Sequence, residues 1–201
     1  MYRYKGFMLE KFNERKNIFV SGGADSALLL YNLLNEQPDT ETYVLTWANR
    51  EKHYRNCKTS VNVVNWCINK TGNNNVVHII KYADTQWEGS LDELAKFRDN
   101  YKICFGITSF PKEPIDFGLP NLSNNDPRTD NSINKSVWLR NNEVYAPYIN
   151  LDKKDIAALY RSNNLMDLFR LTSSCEAKED LDHHCGECWW CKERYWAFGE
   201  Y

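Results

Sequence analysis

The residues at 21–26 read SGGADS and stand between a short apolar run, Asn17–Val20, and a strong helix-forming stretch, Ala27–Leu34. A strand that turns directly into a helix leaves the first N–H groups of the helix unpaired, at the positive end of its dipole. Gly22 and Gly23 allow a sharp turn and a close approach of backbone to an anion. We call Ser21–Ser26 the glycine loop, and its pattern predicts phosphate binding.

The side chains of the glycine loop refine this prediction. Ser21 and Ser26 add hydroxyl donors, whereas the carboxylate of Asp25 is suited to holding Mg²⁺ or to orienting the loop. The alternative is a plain strand–helix turn in which Asp25 or Ser26 is an ordinary N-cap. Six suitable residues between a strand and a helix favour phosphate binding, and the chain has no G-x-x-x-x-G-K-[ST] sequence typical of γ-phosphoryl transfer.

The rest of the chain continues the alternation of strands and helices. Further strands are predicted at Tyr43–Trp47, Val76–Ile80, Tyr101–Gly106 and Val144–Ile149, and helices at Lys58–Lys70 with Gly72 as its stop, at Ser90–Phe97, and after the cap Asp152 with Ile156, Leu159 and Tyr160 inward. This order predicts an α/β fold with a doubly wound parallel five-stranded sheet, Rossmann-like. The Pro- and Asn-rich segment Ile107–Asn142 is either a substrate lid or an insertion without a role.

Four of the seven cysteines lie within the last 27 residues, in the pattern C-x9-C-x2-C-x2-C. Their spacing predicts a metal site formed by Cys175, Cys185, Cys188 and Cys191, which we call the cysteine cluster. Four thiolates suit tetrahedral Zn²⁺ and leave no open position for a catalytic water, so the metal is expected to be structural. An iron–sulfur cluster is the alternative, but the C-x3-C-P continuation of a ferredoxin pattern is missing after Cys191.

Composition excludes several classes of protein. No apolar run exceeds five residues and the N-terminus lacks a signal-peptide pattern, so we expect a cytoplasmic protein that does not span a membrane. The formal net charge is −2, and residues 175–201 alone carry −4 (seven acidic against three basic side chains), so direct nucleic-acid binding is not expected. Cys57, Cys67 and Cys104 are predicted to be small core residues.

The glycine loop resembles the SGGxDS loop of the adenine-nucleotide α-hydrolase, or ATP-pyrophosphatase (PP-loop), superfamily. The tail, from Thr172 through the cysteine cluster to Ala197 and Phe198, resembles the T-x-S-C…CGxCxxCxxR…AF ending of the 7-cyano-7-deazaguanine synthase family of the queuosine pathway. The stretch 147–156 (PYINLDKKDI) is similar to a further family segment. The resemblance implies residues 1–174 as a PP-loop ATP-binding domain and residues 175–201 as a zinc-binding segment.

The activity that this resemblance implies is that of an ATP-dependent carbon–nitrogen ligase. It adenylates a carboxylate, 7-carboxy-7-deazaguanine, and ammonia then gives the amide and finally the nitrile. The implied cofactors are ATP, Mg²⁺ and Zn²⁺, the partners are a small carboxylate substrate and ammonia, and a homodimer is left open.

Residue roles follow from the same resemblance. Ser21, Gly22, Gly23, Ala24, Asp25 and Ser26 bind the nucleotide phosphates, Thr46 and Trp47 line the adenine site with Ala48, and the catalytic set is Asp25, Ser26 and Lys153. Lys153 offsets the charge that develops on phosphate, with Arg50 and Lys52 as alternatives.

Two other functions remain open. A tRNA thiolase-like adenylating enzyme would share the glycine loop but needs a basic surface, which the net charge of −2 does not favour. A non-catalytic, zinc-stabilised interaction module would bind the nucleotide without turnover.

Overall fold

The computed structural model describes residues 9–11, 13–49, 54–83, 101–111, 128, 144–175 and 184–201. The described strands are β1 Arg15–Phe19, β2 Thr42–Asn49, β3 Val76–Ala83, β4 Tyr101–Phe105 and β5 Val144–Tyr145. The described helices are α1 Ala24–Glu36, α2 Tyr54–Thr71, α3 Lys153–Ser162, α4 Met166–Arg170 and α5 Trp189–Phe198.

The five strands form one parallel sheet in the order β3-β2-β1-β4-β5. The chain moves outward from β1 to β3 and then returns to the other side of β1, which is the order of a doubly wound sheet. The predicted fold class is therefore confirmed. The strand order reverses between β1 and β4, and in such sheets ligands bind beyond the carboxyl ends of the strands at this point.

Helix α1 supplies much of the core that fixes the glycine loop to the sheet. Its leucines Leu28, Leu29, Leu30, Leu33 and Leu34 are all fully buried and pack with residues of β1, β2, α2 and α3. A helix that is apolar around most of its circumference must be covered on several sides, which α2, α3 and α4 do. The start of α1 is held further by Tyr160 of α3, whose hydroxyl donates to the carbonyl of Ala24 at 2.7 Å.

Most predicted elements are present, with different ends. Helix α2 begins four residues before the predicted Lys58. Gly72 ends the helix at a φ of +70°, and the N–H of Gly72 donates to the carbonyl of Ile68 at 2.8 Å. Strand β5 stops at Tyr145 instead of continuing to Ile149, because Pro147 has no N–H to donate and residues 147–150 turn. The predicted helix Ser90–Phe97 lies outside the described residues.

Asp152 caps α3 as predicted. Its carboxylate accepts from the N–H groups of Lys154 and Asp155, and the side chain of Asp155 accepts from the N–H of Asp152 in a complete capping box. Ile156, Leu159 and Tyr160 are buried, as their spacing predicts.

Helix α5 joins the end of the chain to the α/β core. Phe198 stacks on Phe169 with ring centroids 3.8 Å apart, and Tyr160 contacts both rings edge-on. The predicted boundary between residues 174 and 175 stays a prediction. Among the described residues, no helix combines the length and the apolar character needed to cross a bilayer.

We expect Gly106→Ala to destabilise the protein by about 1–3 kcal/mol, in the range of overpacked core sites. A Cβ at this position would lie 2.7 Å from the carbonyl carbon of Asp25 and from the nitrogen of Ser26. Both neighbours are backbone, so the start of α1 must move. Urea unfolding measures the loss, and faster amide exchange at Ala27, which donates to Gly23 at 3.1 Å, locates it.

Gly72→Ala is the matched control for this change. It introduces the same methyl group into open space but at a positive φ, so it should lower stability without altering exchange at Ala27. Unchanged exchange at Ala27 in Gly106→Ala would contradict the contact.

Candidate functional site

The glycine loop leaves the N-terminus of α1 open. Gly23 is the N-cap of α1 and makes no side-chain cap hydrogen bond, so Asp25 and Ser26 lie inside the first turn and neither is the N-cap. The alternative in which one of them is an ordinary cap is therefore wrong, whereas phosphate binding stays a prediction. Gly22 has a φ of +85°, a conformation that glycine adopts without strain. The arrangement leaves backbone donors available to an anion.

Three other segments hold the glycine loop in place. A Cβ on Gly22 would come within 3.0 Å of the side chain of Thr59 on α2, so α2 approaches the loop closely. Gly106, directly after β4, lies against the backbone of residues 25 and 26. The N–H of Ser173 donates to the carbonyl of Gly22 at 2.9 Å, which brings the segment before the cysteine cluster to the loop.

The two loop hydroxyls lie close together. Ser26 Oγ donates to the carbonyl of Gly23 at 3.1 Å and lies 3.4 Å from Ser21 Oγ, which in turn accepts from the N–H of Gly23 at 3.3 Å. Ser26 is almost wholly buried. Both hydroxyls therefore lie at the beginning of α1, where the sequence predicts phosphate contacts.

Lys153 lies beside the glycine loop, as its predicted role requires. Its ammonium forms an ion pair and a hydrogen bond with Asp25 Oδ2, while Asp25 Oδ1 is buried and has no hydrogen-bond partner among the parts of the chain that the structure describes. Only 6% of Lys153 is exposed. The fold thus brings together two of the predicted catalytic residues that are 128 positions apart in sequence. The alternatives Arg50 and Lys52 lie outside the described residues.

Two further charged residues, Glu193 and Arg128, extend this ion pair. Glu193 Oε2 lies 3.9 Å from Lys153 Nζ, and Glu193 Oε1 accepts a hydrogen bond from Arg128 Nη2. We call Asp25, Lys153, Glu193 and Arg128 the charge chain. Sequence reasoning missed Glu193 and Arg128. For Glu193 the sequence offered one signal, a charged residue between the inward-facing positions of the terminal helix. For Arg128 the sequence offered no signal.

The predicted adenine-site residues Thr46 and Trp47 lie in the second half of β2, which continues to Asn49. Thr46 Oγ1 donates to the carbonyl of Val20 at 2.9 Å and lies 2.9 Å from His78 Nε2 on β3. Burial lowers the pKa of His78, which favours the neutral imidazole. Trp47 is largely buried, and within the described ranges its Nε1 has no hydrogen-bond partner. These contacts tie the end of β2 to the residue before the glycine loop, and the adenine role stays a prediction.

Arg194 links α5 to the segment that touches the loop. Its guanidinium donates to Thr172 Oγ1 at 2.8 Å and to the Phe169 carbonyl at 3.0 Å, and it lies over the Phe169 ring at 3.8 Å. Burial lowers the pKa of Arg194 to about 10. Because Thr172 precedes Ser173, Arg194 helps to fix the segment whose backbone bonds to Gly22.

The four thiols of the cysteine cluster meet at one point. One ligand atom from each of Cys175, Cys185, Cys188 and Cys191 lies within 4.8 Å of the others. The sulfurs of Cys185 and Cys191 are 3.8 Å apart, close to the edge of a tetrahedron with a Zn–S bond of about 2.3 Å. The donor set and its dimensions fit a zinc ion.

Backbone N–H groups favour the thiolate form of Cys185, whereas burial raises the pKa of Cys191. The N–H of Cys188 donates to Cys185 Sγ at 3.2 Å and the N–H of Cys185 to Cys175 Sγ at 3.4 Å. Burial alone would raise the pKa of Cys185, but the donors at Cys188 and Glu187 outweigh it and the pKa lies at about 6. His184 lies 3.8 Å from Cys191 Sγ and stacks on Tyr201, outside the four-thiol set.

The remaining cysteines are placed as predicted. Cys57, Cys67 and Cys104 are buried, and burial raises the pKa of the Cys104 thiol to about 12. They are unreactive packing residues.

A glycine loop at the reversal point of a doubly wound parallel sheet is the arrangement of α/β proteins that bind nucleotide phosphates. Residues 127–201 match the model of the family described as queuosine biosynthesis protein QueC. The match includes Lys153 and all four residues of the cysteine cluster. Over this segment the chain is QueC-like, which confirms the resemblance predicted for the tail.

Two other comparisons add little to this assignment. A comparison with curated proteins finds no significant match. Among solved structures, the chain is similar to NMN synthetase from Francisella tularensis, with 11% identity and a TM-score of 0.47 over 94% of this chain and 78% of the other.

We expect Cys188→Ser to lose bound zinc and to unfold at a clearly lower denaturant concentration, because the binding energy of a structural metal is part of the folding energy. Metal analysis of the purified protein measures the first effect and urea unfolding the second. Cys57→Ser, which changes a cysteine outside the cluster in the same way, should keep its zinc. Full zinc content in Cys188→Ser would contradict a four-thiolate site.

Proposed function

We propose that the protein is an ATP-dependent carbon–nitrogen ligase that adenylates a carboxylate and passes it to ammonia. The proposed substrate is 7-carboxy-7-deazaguanine, converted first to the amide and then to the nitrile 7-cyano-7-deazaguanine, a step of queuosine biosynthesis. The observation that carries the proposal is the pairing of a buried lysine with an open glycine loop, in a chain whose C-terminal residues match the QueC family.

The described residues support the phosphate part of this reaction. A carboxylate is a poor electrophile, so its oxygen must first attack the α-phosphorus of ATP and displace pyrophosphate. The proposal assigns the departing pyrophosphate to the N–H groups of the glycine loop and the hydroxyls of Ser21 and Ser26. It assigns to Lys153 the offset of the charge that grows on the phosphates.

Asp25 has two roles in the proposal. Its Oδ2 pairs with Lys153, and its buried Oδ1, which accepts no hydrogen bond from the described residues, is suited to a cation that would accompany the nucleotide. When bound, Mg²⁺ would supply charge neutralisation on the phosphates. Thr46 and Trp47 are proposed to line the adenine site, since they lie on the strand next to β1.

The cysteine cluster is proposed as a structural zinc site. Its four donors fill a tetrahedron, so the metal would fix residues 184–191 without contacting substrate. Reduced thiolates of this kind also suit the proposed cytoplasmic location.

The decisive experiment is mass spectrometry of the products formed from ATP, Mg²⁺, ammonia and 7-carboxy-7-deazaguanine. We expect the nitrile to accumulate after the amide, with AMP and pyrophosphate released in both steps. ATP binding without turnover across a panel of carboxylates would support the interaction module instead. Turnover only with tRNA would support the thiolase-like enzyme.

The metal assignment has an independent spectroscopic test. Anaerobically purified protein should be colourless and contain one zinc per four cysteines of the cluster. A brown protein with visible absorption would identify an iron–sulfur cluster and overturn the zinc assignment.

We expect Ser26→Ala and Asp25→Asn to lower the rate of pyrophosphate release by about 10²-fold or more, because the first removes a hydroxyl assigned to the phosphates and the second removes the charge that pairs with Lys153. Steady-state rates with saturating ATP measure the effect. Ser162→Ala is the matched control, since that hydroxyl bonds to the carbonyl of Leu159 at the far end of α3 and should not alter the rate. Rates near the parent value in both loop variants would remove the glycine loop from the mechanism.

A further inference from the structure

Glu193 is a fully buried carboxylate on α5, outside both the glycine loop and the cysteine cluster. Its Oε1 accepts from Arg128, while its Oε2 accepts no hydrogen bond from any described residue and lies 3.9 Å from Lys153 Nζ. Glutamates are almost never fully buried unless they are paired, because desolvation of the charge is costly. This carboxylate is therefore held in place by the two cations beside it.

Lys153 needs such a partner because of its position in the fold. It is the first residue of α3, where the positive end of the helix dipole disfavours a cation, and it is also buried. Asp25 and Glu193 approach its ammonium from different segments, one from α1 and the other from α5. Together the two carboxylates offset the desolvation cost of the buried ammonium and the unfavourable effect of the helix dipole. They also fix the direction of the Lys153 side chain.

Arg128 fixes Glu193 in turn. Its Nε donates to the carbonyl of Thr108 at 3.1 Å and its Nη2 lies 3.4 Å from that of Ser109. The guanidinium also lies over the rings of Phe110 and Trp189, at 4.3 and 4.7 Å from their centroids. The far end of the charge chain is thereby attached to the residues that follow β4.

We infer that Glu193 is a positioning residue for Lys153: it holds the ammonium at the glycine loop, so that the helix that carries Cys191 takes part in the ATP site. The inference rests on the proposed function. Its basis is that negative and positive side chains alternate along Asp25, Lys153, Glu193 and Arg128. Four separate segments of the chain contribute these residues.

A double-mutant cycle on pyrophosphate release, with 7-carboxy-7-deazaguanine and ammonia as substrates, tests this role. In the parent background, Glu193→Gln should lower kcat about tenfold or more while KM for ATP changes less than about twofold, because the loss concerns the transition state. In a Lys153→Met background the same change should lower kcat less than about twofold, since the group that it positions is gone. Glu200→Gln, whose carboxylate pairs with exposed Arg170, is the matched control and should leave both parameters unchanged.

The outcomes separate this inference from the proposed function. An equal loss in both backgrounds would show a purely structural Glu193 and overturn the inference, while the proposed function stands. Parent-like kcat in Glu193→Gln would overturn it in the same way. Absence of turnover in the parent protein would overturn the proposed function and the inference with it.

Glu193→Asp covers the case in which Glu193→Gln does not fold. It keeps the charge beside Arg128 but shortens the side chain by one methylene, which withdraws it from Lys153. The same fall in kcat, at an unchanged urea midpoint, is expected in the parent background and not in Lys153→Met.

Discussion

The buried ion pair between Lys153 and Asp25 is the interaction on which the arrangement of the site depends. A lysine at the N-terminus of a helix is opposed by the helix dipole, and burial adds a desolvation cost. Such a residue is tolerated only when carboxylates surround it, and Asp25 and Glu193 provide them. The first turn of α1, the first turn of α3 and the middle of α5 are therefore bound to one another by charge as well as by apolar packing.

The same arrangement explains why the C-terminal segment lies next to the glycine loop. Cys188 is the N-cap of α5, and Cys191, Glu193 and Arg194 follow on the same helix. One end of this helix thus contributes to a candidate metal site, while its buried charges reach Lys153 and Thr172. Through Ser173, the segment also bonds directly to Gly22. A metal that orders this helix would therefore support the proposed phosphate site through Glu193 and Ser173.

Local sequence predicted the elements whose signals are local. The glycine loop, the Asp152 cap and the Gly72 stop each depend on a few adjacent residues, and all three lie in the predicted places. The sequence predicted the last residue of β5 and the first residue of α2 less well. Pro147 ended the strand early, and α2 gained a turn whose residues carry no apolar periodicity. Arg128 could not have been found, because its role depends on contacts with Phe110 and Trp189, which lie far from it in the sequence.

The sequence by itself determined the parallel α/β class, the glycine loop between β1 and α1, and the four cysteines, because periodicity, glycine pairs and ligand spacing are properties of neighbouring residues. It also placed Lys153 at the site by family resemblance. Only the tertiary structure decided that Asp25 and Glu193 both face that lysine and that Ser173 bonds to Gly22. These contacts join residues from distant parts of the chain, and they exist because the sheet order brings the ends of β1 and β4 together and α5 packs back against α3.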